Sequence, residues 1–324
     1  MSNKSTFIFE SASKEKFSKY ISQRDGEVKL GEIIAFGKPL KRSKYLILGI
    51  EESIGPQANI GLPGSENSFS CFIMRFLNMQ ANRFIQGEDI VIIGTIKAIM
   101  PFQDAKSGRK SIEELDELVQ SVLEEHLSIG IIPIVVGGGH NNAYPIIRSV
   151  SNQFQNAINV INLDPHADCR PLEGRHSGNP FSYAKDCGAL DHYTVIGLHK
   201  AYNSEFLLTY LDDQGFSYTF FEDYLEEPEK FSADVKRFNE GRGTEKPFGV
   251  ELDMDSIEDM PSSAYTPNGM STSQARFYIR QLSRNTNAVY FHFPEGAPTS
   301  PNDEKVVGKI LAYLIWDIIS TDNL

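Results

Sequence analysis

Apolar residues in this chain fall into short unbroken runs, separated by longer stretches in which they recur every third or fourth position. The runs are KYLILGIEE (44–52), DIVIIGTI (89–96), IIPIVVGGG (131–139), NVINLD (159–164), YTVIGLH (193–199), SYTFFED (217–223), FGVELDMD (248–255) and AVYFHFP (288–294). Continuous apolar runs of this length, rich in Val and Ile, predict strands buried on both faces of a parallel sheet. The intervening stretches read as amphipathic helices. The clearest is SIEELDELVQSVLEEHLSIG (111–130), with Ser111 as cap, Glu114 in the capping-box place and Gly130 as its end. STSQARFYIRQLSR (271–284) and NDEKVVGKILAYLIWDII (302–319) are others, the last suited equally to core or interface. Strands alternating with helices predict an α/β fold with a mainly parallel sheet covered on both faces. No segment is rich enough in Pro, Gly or Ser to separate two domains, and no repeat is visible. The expectation is one domain over 1–324, with 1–43 less regular. In that segment KEKFSKYI reads as a short helix and KPLKRSK as a solvated basic loop.

Composition narrows the classes. At 324 residues, 40% hydrophobic and 23% charged, the chain is ordinary globular material able to bury an extensive core. A net charge of −12 argues against nucleic acid or an anionic membrane as a partner over a broad surface. Cys71, Cys169 and Cys187 form no CxxC pair, and so sparse a count suits a reducing cytoplasm. The opening MSNKSTFIFESASKEKF lacks the apolar core of a signal peptide, and no run reaches the length of a membrane span. The expectation is a soluble cytoplasmic protein.

In open parallel sheets ligands bind beyond the carboxyl ends of the strands. Three predicted strand ends carry unusual chemistry. IIPIVVGGGH delivers His140, NVINLDPHAD delivers Asp164, His166 and Asp168, and FGVELDMD delivers Asp253 and Asp255. In an extended chain, residues two apart project to the same side, so each set would line one face. Two imidazoles and four carboxylates brought together would repel strongly unless protonated or bound to cations, and two divalent metals resolve this. An oxygen-rich set without thiolate favours Mn²⁺ over structural Zn²⁺, and Cys169 should point away from the face carrying Asp168. A water shared by two such metals becomes hydroxide near neutral pH, so hydrolytic attack on a polarised carbon is the expected chemistry. Each motif alone has a plainer reading as a glycine turn, a turn cluster or a helix cap. Their conjunction on three strand ends points to a site.

The motifs GGGH, DPHAD and DMD, in that order, resemble those of the ureohydrolases: arginase, agmatinase and formimidoylglutamase. The resemblance implies a three-layer α/β/α fold with a mainly parallel sheet of about eight strands. It also implies two Mn²⁺ per chain held by His140, Asp164, His166, Asp168, Asp253 and Asp255, and a trimer or hexamer. DCRPLEGRHSGNPFSYA (168–184) is most similar to the formimidoylglutamase branch, through Arg170 and SGNPF (177–181). Formimidoylglutamate is an anion, and Arg binds carboxylate through a bidentate fork, so Arg170 is the expected substrate anchor, with Arg175, His176 and Asn179 as helpers. The sequence departs from the family in three places. Pro180–Phe181 stands where arginases place a His. Gly139 and Asn141 replace the Asp and Ser of GGDHS. VYFHFPEGAP offers His292 or Glu295 in place of the family's late Glu.

The expected reaction is hydrolysis of N-formimidoyl-L-glutamate to L-glutamate and formamide. Asp168 would act as general acid, and His292 or Glu295 would hydrogen-bond the departing amine. Two rivals stand beside it. One is an agmatinase-like or other guanidino-compound hydrolase, told apart by urea release. The other is a non-catalytic binding protein that keeps the fold, told apart by a failure to bind Mn²⁺.

Overall fold

A computed structural model describes residues 5–321. Residues 1–4 and 322–324, which fall within the expectations for the opening segment and for the single domain, lie outside the described residues. All eight predicted strands form. In chain order the strands are β1 (Phe7–Ser11), β2 (Ala35–Phe36), β3 (Tyr45–Glu51), β4 (Ile90–Ala98), β5 (Ile132–Val136), β6 (Ile158–Leu163), β7 (Leu190–Leu198), β8 (Ser217–Phe220), β9 (Phe248–Leu252) and β10 (Ala288–Phe293). They make one sheet in the order β1-β4-β3-β5-β10-β9-β6-β7-β8, with β2 paired to β4. The path from β4 to β8 is parallel throughout, and β1 is antiparallel to β4.

Two hydrophobic clusters show why the strand runs are apolar without alternation. Ile47, Val136, Ile161, Val250 and Phe291 face one helical layer, which includes helices Ser68–Phe76, Thr272–Leu282 and Pro301–Ser320. Leu46, Leu48, Val135, Val160 and Val195 face the other, which includes helices Ala105–His126, Ala143–Phe154 and Pro180–Asp186. Both faces of the central strands are therefore dry, as a sheet between two helical layers requires. The C-terminal helix buries Val307, Leu311, Leu314, Ile315 and Ile318, so it is core.

The structure corrects several expectations. The segment 1–43 contributes β1, whose edge pairing with β4 the mixed composition of FIFES concealed. KEKFSKYI does hold a short helix, Lys14–Ser18. The long helix starts at Ala105 and ends at His126. Its cap is Asp104, whose carboxylate accepts from Ser107 N at 2.7 Å while Ser107 Oγ accepts from Asp104 N at 3.0 Å. Ser111 lies inside the helix and donates to Ser107 O. The run 217–223 leaves the sheet at Phe220 and turns into helix Phe221–Glu226.

Candidate metal centre

β5, β10, β9 and β6 are neighbours at the middle of the sheet, and the chain segments leaving their carboxyl ends converge. After β5, Gly137 and Gly138 take φ of 87° and 72°, which only glycine adopts without strain. Their turn places His140 at the head of a short 3-10 turn, His140–Asn142. A Cβ on Gly139 would sit 2.3 Å from Pro56 Cδ, so the turn leaves no room for a side chain there. Glu52, buried just after β3, supplies a carboxylate to the turn. It accepts from Gly139 N at 2.8 Å, Asn142 Nδ2 at 3.0 Å, Asn141 Nδ2 at 3.2 Å and Gly55 N at 2.9 Å.

The acids do not converge by strand alternation. β6 ends at Leu163, and Asp164 to Asp168 form a loop in which Asp168 has a positive φ of 48°. Asp164 Oδ1 accepts from His166 N at 2.7 Å and Oδ2 from Asn162 Nδ2 at 2.8 Å. β9 likewise ends at Leu252. Asp253 then caps a 3-10 turn, accepting from Asp255 N at 2.8 Å. Cys169 is buried in the apolar cluster.

The six expected ligands come together in two groups that share Asp164: His140, Asp164, Asp168 and Asp253, and Asp164, His166 and Asp255. His140 Nδ1 lies 3.2 Å from Asp164 Oδ2, 3.0 Å from Asp168 Oδ2 and 3.0 Å from Asp253 Oδ2. One ring nitrogen cannot serve three acceptors, and both nitrogens of His140 are buried without a hydrogen-bond partner among the described residues. Donors about 3 Å apart are what adjacent corners of an octahedron with bonds of about 2.1 Å require. The donor set therefore fits a divalent cation. His166 Nδ1 lies 3.3 Å from Asp255 Oδ2 and 3.5 Å from Asp164 Oδ1. Its ring ends a stacked column of Phe221, His199 and Tyr202, with centroids 4.6, 4.9 and 5.5 Å apart along the stack.

Electrostatics records the crowding. Burial, then the charges of Asp255 and Asp164, push Asp253 well above the usual carboxylate range. Burial alone would lower His140, but the carboxylates of Asp164, Asp168 and Asp253 outweigh it and hold the imidazole well above its ordinary value. Burial, then the Asp253 charge, push Glu295 up to about 8.

A cavity of about 290 Å³ opens on this cluster, with His166, Asp168, Asp253, Asp255 and Glu295 at its wall and the exposed Arg170 also on its lining. The Arg170 backbone is fixed by Gly178 O and Ser182 Oγ. Among the described residues its guanidinium has no hydrogen bond or ion pair. Of the two alternatives late in the chain, Glu295 reaches the cavity. Its Oε1 accepts from His140 N at 2.7 Å, and its Oε2 bonds Ser263 Oγ.

Four expectations are corrected by position. His292 is fully buried behind His140, with Nδ1 2.6 Å from Glu251 Oε2, and does not line the cavity. Arg175 is buried between Tyr144 and Tyr183, its guanidinium 4.6 and 4.8 Å from the ring centres. It donates to Asp116 Oδ2 at 2.8 Å, Asn179 Oδ1 at 2.8 Å and Asn141 O at 2.7 Å. His176 lies in the same loop, with Nδ1 accepting from Gly178 N and Nε2 beside Glu173 Oε1. Asn179 donates to Gly174 O and Pro171 O. These three side chains face inward because their loop carries its own polar core, which ties the Arg170 segment to the GGGH turn. Sequence reasoning passed over Glu52, Glu251, Ser263 and Asn203, the last on the cavity lining with its Oδ1 accepting from Ala167 N. For the two glutamates the signal was present, an acid in or ending an apolar run. For Asn203 and Ser263 there was none.

The chain is 28% identical over 172 residues to the formimidoylglutamase of Salmonella paratyphi B, a match covering 51% of each chain. It thus spans about half the length of that curated relative. Its fold is similar to that of formimidoylglutamase from Bacillus subtilis, with a TM-score of 0.78, 17% identity and 94% of both chains covered. It is also similar to Trypanosoma cruzi formiminoglutamase solved with Mn²⁺, with a TM-score of 0.74, 19% identity, and 92% of this chain and 99% of that one covered. The model of the arginase family matches residues 72–320, a span holding all six ligand positions, and the chain belongs to that family.

Proposed function

We propose that this protein is a manganese-dependent hydrolase that cleaves a C–N bond of a linear amidine carried on an anionic substrate, N-formimidoyl-L-glutamate being the first candidate. The observation that carries the substrate class is Arg170, a cation without a partner among the described residues, on the lining of the cavity that the acidic cluster shares. In a chain with a net charge of −12, an unpaired guanidinium in a cavity is a ready carboxylate fork.

His140, Asp164, Asp168 and Asp253 would hold one Mn²⁺, and Asp164, His166 and Asp255 the other. Bound there, the pair supplies Lewis-acid polarisation and a water acidic enough to hydrolyse an amidine at neutral pH. The chain's own groups do the rest. Arg170 binds the carboxylate and so fixes which end of the substrate enters. Glu295, pinned by His140 N and Ser263, meets the amidine nitrogen and orients it. Asp168 lies on the cavity wall, where a carboxylate oxygen can take up the proton that the attacking water gives off. It holds that proton on a carboxylate oxygen and passes it to the leaving nitrogen. The products are L-glutamate and formamide.

The test is glutamate release from N-formimidoyl-L-glutamate by the purified, Mn²⁺-loaded protein. Turnover well above that of D255A supports the reading. Turnover no faster than D255A, or urea release from simple guanidines instead, overturns it. One continuous sheet supports a single functional domain. A trimer or hexamer in sedimentation is the assembly the family resemblance supports. The free thiols of Cys71, Cys169 and Cys187 go with a cytoplasmic location. Among the described residues no helix is long and apolar enough to cross a membrane.

A further inference from the structure

Two buried ionisable groups beside the centre have no task in the proposed reaction. Glu251 and His292 sit opposite each other across the parallel pair β9–β10, and both are fully buried. A carboxylate inside a dry sheet is costly unless its lone pairs are used. Here Tyr290 OH donates to Glu251 Oε1 at 2.8 Å, and His292 Nδ1 lies 2.6 Å from Oε2. The same Oε2 lies 3.5 Å from His140 Nε2, at the outer limit of a hydrogen bond.

His140 therefore stands between two acidic regions. Nδ1 faces Asp164, Asp168 and Asp253, and Nε2 faces Glu251. An imidazole that gives one nitrogen to a cation keeps its proton on the other. That proton needs an acceptor, and neither ring nitrogen has a hydrogen-bond partner closer than these carboxylates. Resting on the metal-centre reading above, we infer that Glu251 is a positioning residue for His140. Held by Tyr290 and His292, it accepts a hydrogen bond from Nε2–H, which fixes the tautomer and ring orientation that leave Nδ1 free for a divalent cation. His292, expected from the sequence to meet substrate, acts one step further back by aiming Glu251.

His140, Glu251 and His292 are also close enough to hold a metal themselves. Chemistry favours the hydrogen-bonded arrangement. A cation on Nε2 in addition to one on Nδ1 would require His140 to lose both ring protons. It would also displace the His292 contact that Glu251 already has.

The experiment is a Mn²⁺ titration of the metal-free protein, read by electron paramagnetic resonance and metal analysis, for wild type, E251Q and E251A. Thermal melts of the metal-free forms run alongside. The expected result is two ions in wild type, with the affinity of one weakened about 10–100-fold in E251A. E251Q keeps the shape and one acceptor oxygen, so its loss should be smaller. It remains informative if E251A does not fold. A purely structural role would lower the melting temperature of both variants and leave Mn²⁺ affinity unchanged. Affinities within about twofold of wild type in both variants would overturn the inference alone. So would a third ion in wild type. A wild type that binds no Mn²⁺ would overturn the metal-centre reading and this inference together.

Discussion

Arg170 and Arg175 lie five positions apart and have opposite fates. Arg170 faces a cavity without a partner among the described residues, while Arg175 is locked to Asp116, Asn179 and Asn141 inside the loop. Residue type and spacing drew attention to both, but neighbours decided which one is free. The two predictions differ accordingly. R170M should raise KM for an anionic amidine about 10–100-fold with kcat little changed, since it removes a charged hydrogen bond worth about 1.5–3 kcal/mol. Steady-state kinetics checks this, and an equal fall in kcat would argue for a different role. D116A should instead destabilise the fold by about 3–5 kcal/mol, because it leaves the Arg175 charge buried and alone. The midpoint of urea unfolding measures that. The double variant D116L/R175M should lose less than D116A, since no charge is then orphaned. The six candidate ligand positions were legible in the sequence because their chemistry is conspicuous at any strand end. Glu251 and Glu52 were passed over because each acts through a neighbour that only the fold supplies.

Turns between elements set the ligands more than the strands do. The expectation that alternation in an extended chain aligns Asp164, His166 and Asp168 names residues that do come together, but not by alternation. The strand stops before them, and Asp168 adopts a left-handed backbone. A motif survives such an error because ligand identity does not depend on how the loop bends. The GGGH turn is the stiffest of these connections. G138A would force alanine into φ 72° and bring its Cβ within 2.6 Å of Asn142 Nδ2. The cost should be about 1–3 kcal/mol from backbone strain. Because His140 follows two residues later, Mn²⁺ retention after gel filtration should fall too. A variant that keeps both metals would show that the turn tolerates a side chain. Element ends were read less well than element centres. The helix cap fell to Asp104 rather than Ser111, since side-chain hydrogen bonds that close a first turn leave little trace in the apolar pattern.

At the scale of the whole molecule, the centre is a concentration of like charge inside an otherwise dry sheet, so metal and fold should be coupled. Mn²⁺ binding only the native state at a hundredfold excess over Kd should add about 2.7 kcal/mol per site, and a chelator should lower the melting temperature correspondingly. The effect has a sign in pH. His140 and His166 hold their protons well above the ordinary histidine value, because their carboxylate neighbours outweigh burial. A cation must displace those protons, so affinity falls as pH falls. The melting-temperature gain from Mn²⁺ should thus be larger at about pH 8.5 than at about pH 6.5, by differential scanning calorimetry. An equal gain at both would mean that the metal does not bind these histidines. The sequence by itself determined the eight parallel strands and the six candidate ligands that the fold gathers. Burial on both faces forces continuous apolar runs, and metal chemistry forces a narrow choice of side chains. Only the tertiary structure decided that β5, β10, β9 and β6 are neighbours, that Glu295 rather than His292 meets the cavity, and that Glu251 backs His140. Those relations join residues as far apart as Ile134 and Phe291, and no local pattern encodes a distance that only packing sets.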